Sequence, residues 1–177
     1  MVVVRDFADE YPDCEVVGTD ISPIQPTWVP PNLRFEIEDA TKPWTFAPDS
    51  FDFVHIRYLY GSIADWNDLF KEAYRVTKPG GWVETMEPSS MFHSDNDTVV
   101  PGTAMYEWGR VLNEGGRKSG RPFSVLEDNL QQKGLEAAGF VDLKVVEGQV
   151  SFFLVNFACQ WHAKLTKTLP SPLSTAG

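Results

Sequence analysis

The chain has 177 residues, enough for one domain with a sizeable core and short for two. Its 15 Lys and Arg face 25 Asp and Glu, and the formal charge of -10 opposes the phosphate neutralisation on which nucleic-acid binding rests. No window holds the roughly 18 uninterrupted apolar residues of a membrane span, so nucleic acid and membrane are set aside as partners. Cys14 and Cys159 lie far apart and form no metal-type cluster, and no basic, apolar and cleavage-site sequence opens the chain. A reducing intracellular compartment is expected, cytoplasmic with the nucleus left open, and no metal.

Taken in order, residues 3 to 11 (VVRDFADEY) carry Val4, Phe7, Ala8 and Tyr11 at helical spacing, and Pro12 discourages continuation. EVVGTD then reads as a strand. LRFEI (33 to 37) and FDFVHIR (51 to 57) alternate with the period of two that strands require. Asp65 to Thr77 is a helix with Asp65 as N-cap and Leu69, Phe70, Ala73 and Val76 on its apolar face, stopped by KPGG before the strand WVETME. After a polar loop, Met105, Trp108 and Leu112 mark a helix expected to dissolve into the flexible run NEGGRKSGRP. SVLE reads as a capping box, Ser124 with Glu127, opening a helix that ends at Gly139. FVDLKVVEG is a strand with VSFFLVNF as candidate hairpin partner, and the closing residues lose periodicity. One domain over 1–155 with an irregular tail over 156–177 is the expected organisation.

Alternating strands and helices imply an α/β fold with a mostly parallel sheet and helices on both faces, which binds ligands outside the carboxyl ends of its strands. The order GTDIS, EDA, FDFVHIR, EAYRVTKPGGWVE and LEAAGF resembles the Rossmann-like class I S-adenosylmethionine-dependent methyltransferases. More narrowly, FADEYPDCEVVGTDISPIQPTWVPPN and the run from Trp44 to Arg57 resemble the fungal LaeA-like methyltransferases linked to secondary metabolism.

The resemblance implies S-adenosylmethionine as cofactor. It assigns Asp20 to the two ribose hydroxyls, with Ile21 beside it, and Asp39, with Ala40, to the adenine side. A carboxylate suits a vicinal diol because it only accepts and can take two donors. The strand 51 to 57 falls where the family faces the transferred methyl, so His55 and Arg57, on one side of the strand, and Tyr58 stand nearest the expected reaction centre. Glu84 and Glu87 flank the end of the next strand, where a general base would meet a substrate hydroxyl. His55, Arg57 and Glu87 are therefore the catalytic candidates. Tyr58, Met91, Phe92 and Trp108, with Trp28 and Trp44 available, are candidates to line an apolar substrate pocket under the loop from Pro88 to Pro101.

No glycine precedes Gly18, so the family's glycine-rich cofactor loop and the strand before it are missing from this chain. The expected sheet is thus incomplete, lacking its first strand, with edges to be covered by VSFFLVNF, by strand closure or by a second copy in a homodimer. The first expectation is a secondary-metabolite tailoring enzyme acting without methyl transfer, through cyclisation, isomerisation or a similar rearrangement of a polyketide or terpenoid-type small molecule, with S-adenosylmethionine bound weakly or not at all. A methyltransferase with an atypical cofactor site, and a non-catalytic partner protein or truncated relic, stay open beside it.

Overall fold

The computed structural model describes residues 2–23, 25–26, 28–94, 96–152 and 155–163. The chain divides between Thr45 and Phe46 into two compact units, where the sequence suggests one.

In the first unit, helix α1 (Val2–Glu10) precedes strands β1 (Val16–Asp20) and β2 (Leu33–Ile37). The strands pair in parallel from Val16 opposite Leu33 to Asp20 opposite Ile37, so both end at the same edge. Gly18 is required by its neighbour: a Cβ there would lie 2.4 Å from the ring of Phe35, its register partner. Asn32 ties the unit together, its side-chain amide donating towards the carbonyls of Ala8, Tyr11 and Cys14 at 3.0 to 3.1 Å. Two amide hydrogens thereby serve carbonyls left over at the end of α1 and in the turn that follows.

The second unit contains β3 (Phe51–Arg57), α2 (Trp66–Val76), β4 (Thr77–Met86), α3 (Ala104–Ser119), α4 (Leu130–Ala138), β5 (Leu143–Phe152) and β6 (Val155–Ala163). Its sheet has the order β3-β4-β6-β5, with β3 and β4 parallel and β6 antiparallel to both neighbours. Strands β5 and β6 pair up to Phe152 opposite Val155, both within VSFFLVNF. That segment therefore does not cover the outer edge of β3; its last residues enter β6, between β4 and β5. The expected irregular tail is corrected as well, because regular structure continues to Ala163; residues 164–177 lie outside the described ones.

The Asp65 side chain caps α2 by accepting from the amides of Asn67 and Asp68. Trp66, Leu69, Phe70, Ala73 and Val76 recur at helical spacing and are buried. Each large one contributes about 2 kcal/mol of burial. Helix α4 closes on this stripe, with Gly134 so near Phe70 that a Cβ would stand 2.5 Å from the ring. The same helix covers one face of the sheet: Val83 and Thr85 are wholly buried, and Gln131 donates to the Thr85 hydroxyl at 3.0 Å. On the opposite face the register partners Phe53 and Trp82 remain 42% and 41% exposed.

Two local expectations are corrected. Helix α3 runs through Gly115 and Gly116 to Ser119 and is capped by Gly120 in the left-handed region at φ 69°. Gly116 is tolerated because it is a contact surface: a Cβ would lie 2.8 Å from the Arg121 carbonyl oxygen. The capping box does not form. The Ser124 hydroxyl donates to the Asp128 carboxylate, Glu127 accepts from Ser89, and α4 starts only at Leu130, after Asn129 in the left-handed region.

Candidate functional site

In the first unit, the parallel register brings the loops after β1 and β2 together, joined by the Glu38 amide donating to the Asp20 carbonyl at 3.1 Å. Asp20 is half-buried, and one carboxylate oxygen accepts from the Ser22 amide at 2.8 Å. Its other oxygen has no partner among the described residues. Asp39 accepts from both the amide and the hydroxyl of Thr41 at 2.9 and 2.7 Å. Both carboxylates are thus turn-formers, and Asp20 forms its turn with one oxygen alone. Ile21 is 65% exposed beside it, and the Ala40 carbonyl receives the indole N–H of Trp44 at 3.4 Å. Trp28 is exposed.

In the second unit, β3 and β4 place His55 opposite Glu84 and Arg57 opposite Met86. His55 Nδ1 lies 2.6 Å from the Glu84 carboxylate, and its Nε2 is buried with no hydrogen-bond partner among the described residues. Both residues are mostly covered, so this is a shielded pair on the face that also carries Phe53 and Trp82. The guanidinium of Arg57 stacks 4.7 Å over the Tyr58 ring. Tyr58 itself sits in the left-handed region at φ 54°, its amide held by the Met86 carbonyl at 3.1 Å.

Glu87 differs from the residue the sequence suggests. It is wholly buried, and its two oxygens accept from the amides of Leu59 and Tyr60 at 2.8 and 2.9 Å. Burial pushes its carboxyl up to about 7, against the pull of the two amides. The Tyr60 hydroxyl is raised too, by burial and then by the charge of Glu87. Glu87 therefore fixes the loop that follows Arg57 and Tyr58.

Among the candidate pocket residues, Met91 packs against Gly109 of α3, where a Cβ would lie 2.6 Å from the Ser90 carbonyl oxygen and 2.9 Å from the Met91 sulfur. Phe92 is half-buried. Trp108 and Tyr58 are 59% and 48% exposed. The buried stripe of α3 is Gly109, Asn113 and Gly116, so Trp108 lies off it, contrary to the apolar face read from the sequence. The start of the loop from Pro88 to Pro101 is built in by polar contacts: Ser89 donates to Glu127 at 2.6 Å and Ser90 to Asn113 at 2.6 Å. These pairs are 38 and 23 residues apart and carry no local pattern. The His55–Glu84 pair alone had a signal, since both strands alternate and run in parallel. No group of metal-ligating side chains forms among the described residues, and none of their helices is long and apolar enough to cross a membrane.

Compared with known proteins, the methyltransferase-domain family model matches residues 3–143. Secondary metabolism regulator LAE1 of Cochliobolus heterostrophus is 36% identical over 141 residues, covering 78% of this chain and 45% of its own length. Methyltransferase pytC of Aspergillus terreus is 38% identical over 135 residues, covering 76% of this chain and 41% of its own. The chain spans less than half the length of these relatives. Among solved structures, Haemonchus contortus phosphoethanolamine N-methyltransferase 2 in complex with S-adenosyl-L-methionine superposes with a TM-score of 0.55 at 23% identity, over 81% of this chain and 31% of that one. That likeness identifies the fold as a partial class I methyltransferase scaffold.

Proposed function

The chain belongs to the methyltransferase-domain family, and from this we propose that it serves secondary metabolism by S-adenosylmethionine-dependent methyl transfer to a small molecule. The observation that carries this reading is Asp20: a half-buried carboxylate at the carboxyl end of a parallel strand, one oxygen spent on its own turn and the other left to accept. A vicinal ribose diol is the donor pair that such an oxygen suits. Asp39, at the start of the loop after β2 and already fixed by Thr41, would receive the adenine amino group, with Ile21 and Ala40 beside the two carboxylates. When bound, the cofactor supplies a methyl group on a sulfonium, a strong electrophile. Asp20 and Asp39 would orient it through its ribose and adenine.

The likeness to secondary metabolism regulator LAE1 supports the link to secondary metabolism, and that to methyltransferase pytC supports methyl transfer. The expectation of a scaffold that no longer methylates rested on the absence of a glycine before Gly18. In a chain spanning less than half its relatives' length, that argument loses its force. Titration calorimetry with S-adenosylhomocysteine tests the proposal. Binding that falls about tenfold or more in Asp20→Ala, the scale of one lost charge-assisted hydrogen bond, supports it. No binding by the wild-type chain at millimolar ligand overturns it and returns the rearrangement reading to first place.

A further inference from the structure

Arg57 is out of balance with its surroundings. In a chain with 25 acidic residues against 15 basic ones, a half-buried guanidinium ordinarily finds a carboxylate. The other half-buried arginines do: Arg75 pairs with Glu72 at 2.7 Å, and Arg5 approaches Asp6 at 3.8 Å. Arg57 has neither ion pair nor hydrogen-bond acceptor among the described residues; its contact is with the Tyr58 ring, over which the guanidinium carbon lies 4.7 Å from the centroid. The acid nearest along the strand pair, Glu87, is turned away and consumed by the amides of Leu59 and Tyr60. Glu84, also on β4, is taken by His55.

The stack is also built rather than incidental. Tyr58 is held in the left-handed region, unusual for a residue with a side chain, by the Met86 carbonyl on its amide and by Glu87 on the two amides after it. Stacking on the ring orients the guanidinium plane and leaves its N–H fork unpaired at the carboxyl end of a parallel strand, where such sheets take their ligands.

We propose that Arg57, oriented by Tyr58, binds a carboxylate carried by the substrate, which makes this chain selective for acidic small molecules. One guanidinium matches one singly charged carboxylate bidentately. A phosphate dianion would want a second cation, and no ion pair or stack among the described residues brings another one to Tyr58. The inference rests on the substrate side of the proposed methyltransferase reading and uses none of its cofactor residues.

The test measures binding of 2,4-dihydroxybenzoate and of its methyl ester to the full chain without cofactor, by calorimetry or ligand-observed NMR. An aromatic acid is chosen because the exposed Tyr58 ring offers a further stacking surface. The wild-type chain should prefer the acid by about tenfold or more, as one charge-assisted pair provides. Arg57→Met should erase the preference, with circular dichroism confirming the fold, and Arg57→Lys should restore part of it. Equal binding of acid and ester by the wild-type chain, an unchanged preference in Arg57→Met, or no binding of either compound each overturns the proposal. None of these outcomes touches the cofactor titration, so the two readings fail separately.

Discussion

Asp20 and Glu87 are carboxylates in equivalent positions, each at the carboxyl end of a parallel strand, β1 in the first unit and β4 in the second. Asp20 is half-buried and spends one oxygen on the Ser22 amide. Glu87 is wholly buried and spends both, on Leu59 and Tyr60. A strand end is where the chain must leave the sheet and expose backbone amides, so an acid there is recruited first to hold the turn. Only the acid with acceptor capacity left over, and with access to solvent, can also serve a ligand. The contrast separates a carboxylate with acceptor capacity to spare from a scaffold carboxylate of the same chemistry.

The sharpest way to break this contrast is Glu87→Ala. Two part-buried amides lose their acceptor, and the expected cost is about 3 kcal/mol of unfolding free energy by urea denaturation. A loss below about 1 kcal/mol would mean the loop finds other acceptors and that Glu87 is free for chemistry after all.

The pH dependence sharpens the same point. The folded pKa of Glu87 is raised to about 7 from an ordinary 4.5, so between those values the folded chain holds a proton that the unfolded chain releases. Its contribution to stability is therefore full below about pH 4.5 and is lost as pH rises through about 7, by a total of about 3 kcal/mol. Glu87→Gln, neutral throughout, should cost less than the alanine and flatten this slope. Parallel slopes in wild type and Glu87→Gln would remove Glu87 as their source.

Much of this was legible before the structure. LRFEI and FDFVHIR coincide with β2 and β3 to the residue, because alternation over a run bounded by turn residues admits few other readings. Asp65 caps α2 as its position before an apolar stripe requires. What failed was local chemistry outbid by distant partners. Ser124 and Glu127 have capping-box spacing, yet Asp128 and Ser89 claim them. The glycines of NEGGRKS look flexible, yet Gly116 is buried against the segment after the helix. Glu87 stood out as an acid in the right place, but its partners, two backbone amides nearly thirty residues away, leave no trace in a side-chain pattern.

A smaller effect is expected at Gly109, where the second unit packs the Pro88–Pro101 loop onto α3. An added methyl would meet the Ser90 carbonyl oxygen at 2.6 Å, and backbone cannot rotate away as a side-chain tip can. Gly109→Ala should cost about 2 kcal/mol by overpacking, despite the better helix propensity of alanine. Unchanged stability would show that the loop rests less closely on the helix, and would free Met91 and Phe92 to move.

The smallest expected change in stability, and the other half of the contrast, is Asp20→Asn. The asparagine oxygen can still accept from the Ser22 amide, so the turn survives and unfolding free energy should shift by no more than about 0.5 kcal/mol. The oxygen left free by the turn becomes an amide nitrogen, a donor facing the donors of a diol, and the charge that strengthens both hydrogen bonds disappears. Affinity for S-adenosylhomocysteine should accordingly fall about tenfold, one charge-assisted hydrogen bond or slightly more. A stability loss comparable to that of Glu87→Ala, with affinity unchanged, would place Asp20 with the scaffold carboxylates and take away the observation on which the cofactor site rests.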